Sequence, residues 1–478
     1  MPFQNPTNYR QRNRGIELSC APSISEADQD LERKIDSITR YQKPYTKKII
    51  TLMVCANQYN VLTIYNYIVA QKNEQIIKES TVEGIIKKLV WLSSYLKHKS
   101  FSEMTKEDIL HYLNSIKKPP ELDPTHKSIG TYNGRQMVFS TFFRWLYNQD
   151  EPDCRKRMTP PCMNGIRRLP RQEKSPYKPS DMWNGEEHAI FLKYCPNKRD
   201  RCYHAMANDT SARPHELLKL RIKDIILKTA DSGVHYAEIQ VSGKTSPRTL
   251  PLINSLPYIK EWLYEHPTSD NHDSWLFVGG SHNNYTYRIS ADGMRSRYKY
   301  YYQSSYFPKL LEDETVSPRD KSYIKTMLTK PWNPYIFRHS ALTEKSQILK
   351  ESTLRDHAGW SNTSQMPQVY IHYYGNESSK SLLEAYGIED YHQKQVNLLK
   401  SKYCPNCNES NKAQSKFCSK CRMVLTFDAY NETLQKDRKK ELEIKVMQEK
   451  MNAIEESQRE IQHLLKEPAK LMAILNEK

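Results

Sequence analysis

Five short stretches of the chain carry groups that phosphodiester chemistry needs. They are Ser211-Ala-Arg-Pro-His-Glu-Leu-Leu218, Ser242-Gly-Lys-Thr245, Tyr335-Ile-Phe-Arg338, Ala358-Gly-Trp360 and Val369-Tyr-Ile-His372. In that order they supply Arg213, Lys244, Tyr335 with Arg338, the indole N–H of Trp360, and Tyr370. Two guanidinium forks suit the non-bridging oxygens of a phosphate and the extra charge of a pentacoordinate transition state. An ammonium lowered in pKa by neighbouring cations can protonate a leaving oxygen. A phenol becomes a useful nucleophile when cations and a proton acceptor lie beside it. Each fragment alone has an ordinary structural reading, and Tyr373 and Tyr374 stand close to Tyr370 in the sequence. The weight lies in the five occurring together and in order.

The elements that must position these groups are legible in part. Pro214 suits the first position of a helix, which places Arg213 at its N-cap and Glu216 three residues on, where its carboxylate can orient the guanidinium. Lys244 falls in a turn around Gly243, between apolar runs Val234–Val241 and Thr249–Ile253 that read as a β-hairpin, with Arg248 just beyond. Asn333-Pro334 starts a helix that sets Tyr335 and Arg338 on one face at i, i+3. Gly359 reads as a helix terminator before Trp360.

At 478 residues the chain exceeds what one core usually serves, so more than one domain is expected. Residues 1–54 read as an arm, with a poorly apolar charged helix near 23–41. Residues 55–150 read as an all-helical domain. There Ile85, Ile86, Leu89, Leu92 and Leu96 recur at helical spacing, Thr105-Lys-Glu-Asp108 resembles a helix cap, and Val138, Phe139, Phe142, Phe143, Trp145 and Leu146 mark a final apolar helix. Residues 151–180 form a Pro-rich basic linker, and 181–395 a mixed domain. The fold class is therefore mainly α with a small β-sheet or hairpin (α+β).

A formal charge of +17 with 32 tyrosines suits a protein lying along a polyanion, double-stranded DNA first. Arg155, Arg157, Arg167, Arg168 and Arg171 of the linker, with Arg248, are the candidate phosphate contacts. No apolar run reaches the length of a membrane span and the first twenty residues lack a signal-peptide core, so no membrane partner and a cytoplasmic, nucleoid-associated location are expected.

In these five motifs the chain resembles the tyrosine recombinase (phage integrase) family, in its archaeal-type form. Ala212-Arg213-Pro-His-Glu216 resembles the first catalytic Arg motif and Gly243-Lys244 with Arg248 the β-hairpin Lys motif. Tyr335-Ile-Phe-Arg338-His339 is similar to His-x-x-Arg, with Tyr335 in place of the His. Ala358-Gly359-Trp360 is similar to Leu-Gly-His, with Trp360 in place of the His, and Tyr370-Ile-His372 to the nucleophile motif. Ser381-Leu-Leu-Glu-Ala-Tyr-Gly-Ile388 is similar to the segment that follows the nucleophile in archaeal members. The resemblance implies a site-specific recombinase or integrase in which Tyr370 forms a 3′-phosphotyrosyl bond and Lys244 protonates the departing 5′ oxygen. It implies neither ATP nor a catalytic metal, and a homo-oligomer, a tetramer on paired sites. A recombinase-fold protein that binds or bridges DNA without cutting it, and a type IB topoisomerase-like relaxing enzyme, are the alternatives.

Near the C-terminus, Cys404-Pro-Asn-Cys407 and Cys418-Ser-Lys-Cys421 have zinc-ribbon spacing, and four thiolates leave a Zn²⁺ no open position, which makes the site structural. Asn408 and Arg422 stand where Gly commonly follows each knuckle. Beyond the ribbon (396–428), Ile444, Met447, Met451, Ile454, Gln458, Ile461 and Leu465 follow a heptad seam within 429–478. The segment reads either as a short coiled coil or as a single amphipathic helix docked on the body.

Overall fold

The computed structural model describes residues 26–75, 77–170, 177–243, 247–279, 287–373, 386 and 399–466. The chain divides into two units, Met1–Pro176 and Tyr177–Lys478. In the first, helices α1 (Glu26–Thr39), α2 (Pro44–Val54), α3 (Gln58–Glu74), α4 (Glu79–Tyr95), α5 (Lys106–Ile116) and α6 (Lys127–Tyr147) surround one apolar core. Helix α5 opens on a capping box: the Asp108 N–H donates to Thr105 Oγ1 (3.3 Å) and the Thr105 N–H to the Asp108 carboxylate (2.9 Å). Helix α6 delivers Phe139, Phe142 and Phe143, all fully buried. Phe142 packs edge-on against Tyr67 and Phe101 at centroid distances of 5.1 and 4.9 Å. Each such ring contributes roughly 1.5–3 kcal/mol through the surface it removes from water.

The expected arm over 1–54 is corrected by α1 and α2. Leu31, Ile35 and Ile38 form a narrow stripe that buries in the same core, joined by Ile50 and Met53. Three apolar residues at i, i+4, i+7 suffice for a helix with neighbours to lie against, even when its other faces are charged.

The linker expectation is corrected too. Within 151–170, Cys162, Met163 and Ile166 are buried in the helical core, and the Gln136 and Asn133 amides of α6 hydrogen-bond the Ile166 and Leu169 carbonyls, each at 2.9 Å. Arg157 is buried, and its guanidinium makes a two-pronged pair with Glu74 (2.9 and 2.6 Å), which removes it from the phosphate-contact set. Arg155, Arg167 and Arg168 are exposed, while Arg171 lies outside the described residues.

The second unit begins with α7 (Gly185–Tyr194), α8 (Lys198–Thr210) and the short α9 (Pro214–Leu217). An antiparallel sheet follows, β1 (Ile225–Thr229), β2 (His235–Ser242) and β3 (Pro247–Leu252), in the order β1-β2-β3. Ile239 pairs with Ile225 on one side and Leu250 on the other, and Ala237, Ile239 and Val241 turn inward. The hairpin of β2 and β3 agrees with the expectation from sequence, and β1 is an additional strand. Then come α10 (Leu256–Tyr264), α11 (Ala291–Ser296), a π-wound continuation Arg297–Tyr306, α12 (Phe307–Lys309), α13 (Pro318–Thr329), α14 (Pro334–Ser346), α15 (Glu351–Ala358) and α16 (Met366–Tyr373).

Helix α8 is the spine of this unit. His204 stacks on Phe191 at 4.2 Å and meets Phe337 of α14 edge-on at 4.6 Å. At its far end the Asp209 carboxylate accepts from the Ile253 and Ser255 N–H groups (2.8 and 2.7 Å), fixing the end of α8 to the start of α10. Ser211 then takes a left-handed conformation (φ 49°), which turns the chain into Arg213. The cysteine segment adds a two-stranded ladder, β4 (Lys402–Tyr403) with β5 (Ser410–Asn411), followed by a 40-residue helix, Phe427–Lys466. Among the described residues no helix is long and apolar enough to cross a membrane.

Candidate active site

Arg213 caps α9 as its sequence demands: Pro214 occupies the first helical position, and the Arg213 N–H donates to the Glu216 carboxylate at 2.8 Å. The same carboxylate accepts from the Arg213 guanidinium (3.0 Å) and from Arg248 of β3 (2.8 Å). Its side chain is completely buried. Burial opposes its charge, but the hydrogen bonds from Arg248 and Arg213 outweigh that and hold the carboxyl down at about 2. Arg248 is thus corrected from a DNA contact to a partner of Glu216.

Arg338 of α14 is buried, because α14 packs against α8, α15 and α16. Its guanidinium donates to the Ser211 and Ala358 carbonyls, the latter at 2.9 Å. Burial first, and Arg213 second, bring this guanidinium down to about 10, still charged at neutral pH. The three arginines share a target. Arg248 donates to the carbonyl of His357 (2.9 Å), Arg338 to that of Ala358 (2.9 Å) and Arg213 to that of Gly359 (3.3 Å). These are successive carbonyls at the end of α15, the negative pole of its dipole. Gly359 caps that end in the left-handed region (φ 65°), and a Cβ there would meet Arg248 Nη1 at 2.5 Å.

Gly243, the residue before Lys244, lies so close to Glu216 that a Cβ there would strike its carboxylate oxygen. Lys244 itself lies outside the described residues.

Tyr370 of α16 is buried in a small cluster with Leu342 of α14 and Leu354 and Ala358 of α15. Trp360 stacks on its ring (centroids 5.3 Å apart, 26° between planes). The structure thus brings Arg213, Glu216, Arg338, Trp360 and Tyr370 around the end of α15. Tyr335, in the first turn of α14, is 47% exposed and forms no part of that buried cluster. Tyr374 and most of the segment 381–388 lie outside the described residues.

His339 is a polar group of the site that residue type and spacing do not single out. Its Nδ1 is 2.7 Å from the Tyr370 hydroxyl, and its ring stands 5.1 Å from that of Tyr177. Its one signal in the sequence is the i, i+4 spacing from Tyr335 on a helix whose Arg is already in use. Burial, and then the Arg338 charge, lower its pKa to about 4, so the imidazole is neutral at pH 7.

Cys404, Cys407, Cys418 and Cys421 form a second candidate site. Their sulfurs lie within 4.8 Å of one another, with contacts of 3.5 to 3.6 Å. Tetrahedral thiolate ligands at about 2.3 Å would stand about 3.8 Å apart, so the group could hold a metal ion. The two knuckles match: the Asn408 N–H returns to the Cys404 carbonyl and the Arg422 N–H to that of Cys418. Both residues adopt the left-handed conformation, φ 55° and 63°, so Arg422 takes the geometry that Gly would supply.

No family model matches the chain, and no curated protein matches it. Among solved structures it is similar to the Tn1549 transposon integrase in complex with transposon right-end DNA (TM-score 0.43, 13% identity, 68% of this chain and 99% of that one). It is also similar to a XerH site-specific recombinase in a post-cleavage complex (0.43, 16%, 75% and 96%) and to a lambda integrase dimer bound to a core site (0.42, 13%, 64% and 77%).

The Glu216 carboxyl is held below its ordinary 4.5, so its contribution is full above pH 4.5 and is lost as pH falls towards 2. Glu216→Gln should cost about 3 kcal/mol at pH 7, and urea unfolding at pH 7 and pH 3 should show the gap to the wild type narrowing in acid.

Proposed function

We propose that this chain is a site-specific DNA recombinase or integrase that cleaves and rejoins strands through a 3′-phosphotyrosyl intermediate. One observation carries the reading: three guanidiniums converge on the end of α15, with one carboxylate among them and the Tyr370 phenol beside them. The excess positive charge in so dry a place suits an anion with several acceptor oxygens, and a scissile phosphate fits that requirement. In this reading Arg213 and Arg338 clamp the non-bridging oxygens, and Glu216 and Arg248 hold Arg213 in position. Trp360 offers an indole N–H, and Lys244 protonates the leaving 5′ oxygen. Tyr335, half-exposed at the head of α14, is available as a hydrogen-bond donor to the substrate. Exposed Arg155, Arg167 and Arg168 supply sequence-independent phosphate contacts on double-stranded DNA.

We read the four cysteines as a structural Zn²⁺ ribbon: a metal there would fix the two knuckles and leave no open coordination position. The C-terminal helix fits a parallel two-stranded coil between copies of the chain. Ile444, Met447, Met451, Ile454 and Ile461 are exposed along it, although the alternative of docking on the body would bury them. With Ile444 at position a, Lys450 falls at g and Glu455 at the following e, which attract across a parallel pair. Such pairing supports assembly of protomers on paired DNA sites.

Adduct trapping tests the central claim. Incubated with nicked duplex fragments, the wild type should leave a covalent protein–DNA species that Tyr370→Phe abolishes and Tyr373→Phe and Tyr374→Phe retain. DNA binding with no adduct from the wild type would instead support a non-cutting bridge, a reading favoured by the burial of Tyr370. Metal analysis should find one zinc per chain, released on Cys404→Ser with loss of protease resistance confined to the ribbon. Sedimentation should show self-association of the free protein that Met451→Asp and Ile454→Asp reverse.

A further inference from the structure

We propose that His339 is a catalytic residue, the proton acceptor for the Tyr370 hydroxyl during attack on phosphorus. The assignment rests on the strand-cleavage reading above and names a group which that reading leaves open: where the phenolic proton goes. A phenol at neutral pH needs a base within hydrogen-bond reach. The residue three before Arg338 is Tyr335, which is half-exposed and lies outside the buried cluster around Tyr370. His339 lies one turn further along α14, on the same side, and its Nδ1 stands 2.7 Å from the Tyr370 oxygen. The two rings are nearly parallel (18°), with centroids 5.7 Å apart, so the hydroxyl meets the imidazole at its ring edge.

The surroundings suit a base that is ready before substrate arrives. Arg338 is adjacent on the same helix, Tyr370 faces the imidazole from α16, and the Tyr177 ring covers it. Burial and the Arg338 charge keep the imidazole neutral, hence able to accept. Behind Arg338 stand Arg213, Glu216 and Arg248, whose charges reach it. A phosphodiester bound by Arg213 and Arg338 brings a negative charge that offsets the repulsion, so His339 becomes more basic as its substrate docks. In the step itself the Tyr370 Oη–phosphorus bond forms and the phosphorus–O5′ bond breaks. The phenolic proton passes to His339 Nδ1, and the departing 5′ oxygen takes its proton from Lys244. Rejoining runs the same transfers backwards.

The test uses the full chain and a pool of duplexes with 5′-bridging phosphorothiolates, whose thiolate leaves without needing a proton. Adduct formation is followed from pH 6 to 9. The wild type should show a flat profile. His339→Asn keeps an acceptor oxygen near the Nδ1 position but cannot take up a proton. It should react about 10²- to 10⁴-fold more slowly at pH 7 and gain about tenfold per pH unit, as only ionised phenol attacks. An Asn variant as fast and as flat as the wild type would reduce His339 to a positioning residue and overturn the proposal. Should the Asn variant fail to fold, ¹⁵N-histidine spectra of the wild type decide: a proton resident on Nδ1, unmoved by Tyr370→Phe, also overturns it. Absence of any adduct from the wild type sinks the cleavage reading itself, a separate and distinguishable failure.

Discussion

Three arginine side chains from three different elements meet the last carbonyls of α15, and the geometry of this unit follows from that meeting. Arg213 comes from the cap of α9, Arg248 from β3 and Arg338 from α14. Like charges so close would drive the elements apart. The carbonyls of His357, Ala358 and Gly359 and the carboxylate of Glu216 supply the opposing charge. Because the compensation comes from a helix terminus and one carboxylate, it is incomplete. The cluster therefore stays short of negative charge.

Two glycines make the approach possible. Gly359 lets α15 end in the left-handed region with its carbonyls presented to the arginines, and a side chain there would strike Arg248. Gly243 lets the hairpin lie directly on Glu216. The left-handed Ser211 then brings its carbonyl to Arg338 while the chain runs on into Arg213. The phenol of Tyr370 enters this setting through packing: Leu342, Leu354 and Ala358 bury its ring, Trp360 stacks on it, and its oxygen ends at His339.

The cysteine segment is tied to the same unit by polar contacts with α10 and the residues before it. Lys260 pairs with Glu409, Lys412 with Glu261 at 2.7 Å, and the Ser401 N–H donates to the Asn254 side chain at 3.1 Å. These anchors orient the start of the long helix, whose apolar seam stays exposed along its described length.

Residue type and spacing determined the mainly helical fold class, the cap at Arg213, the start of α14 at Pro334, the β2–β3 hairpin and the four-cysteine group. All of these rest on local physics: proline geometry, apolar periodicity, and the short reach between cysteines with two residues between them. Whether a given arginine binds a phosphate, a carboxylate or a carbonyl is not a local property. Arg157 and Arg248 share the charge and sequence surroundings of their basic neighbours, yet Glu74 and Glu216, distant in sequence, claim them. The narrow stripe on α1, the extra strand β1 and the partner of Tyr370 were likewise decided by tertiary contact. Burial and pairing depend on which surfaces meet, and that is set only when the whole chain has found one arrangement satisfying its charges together.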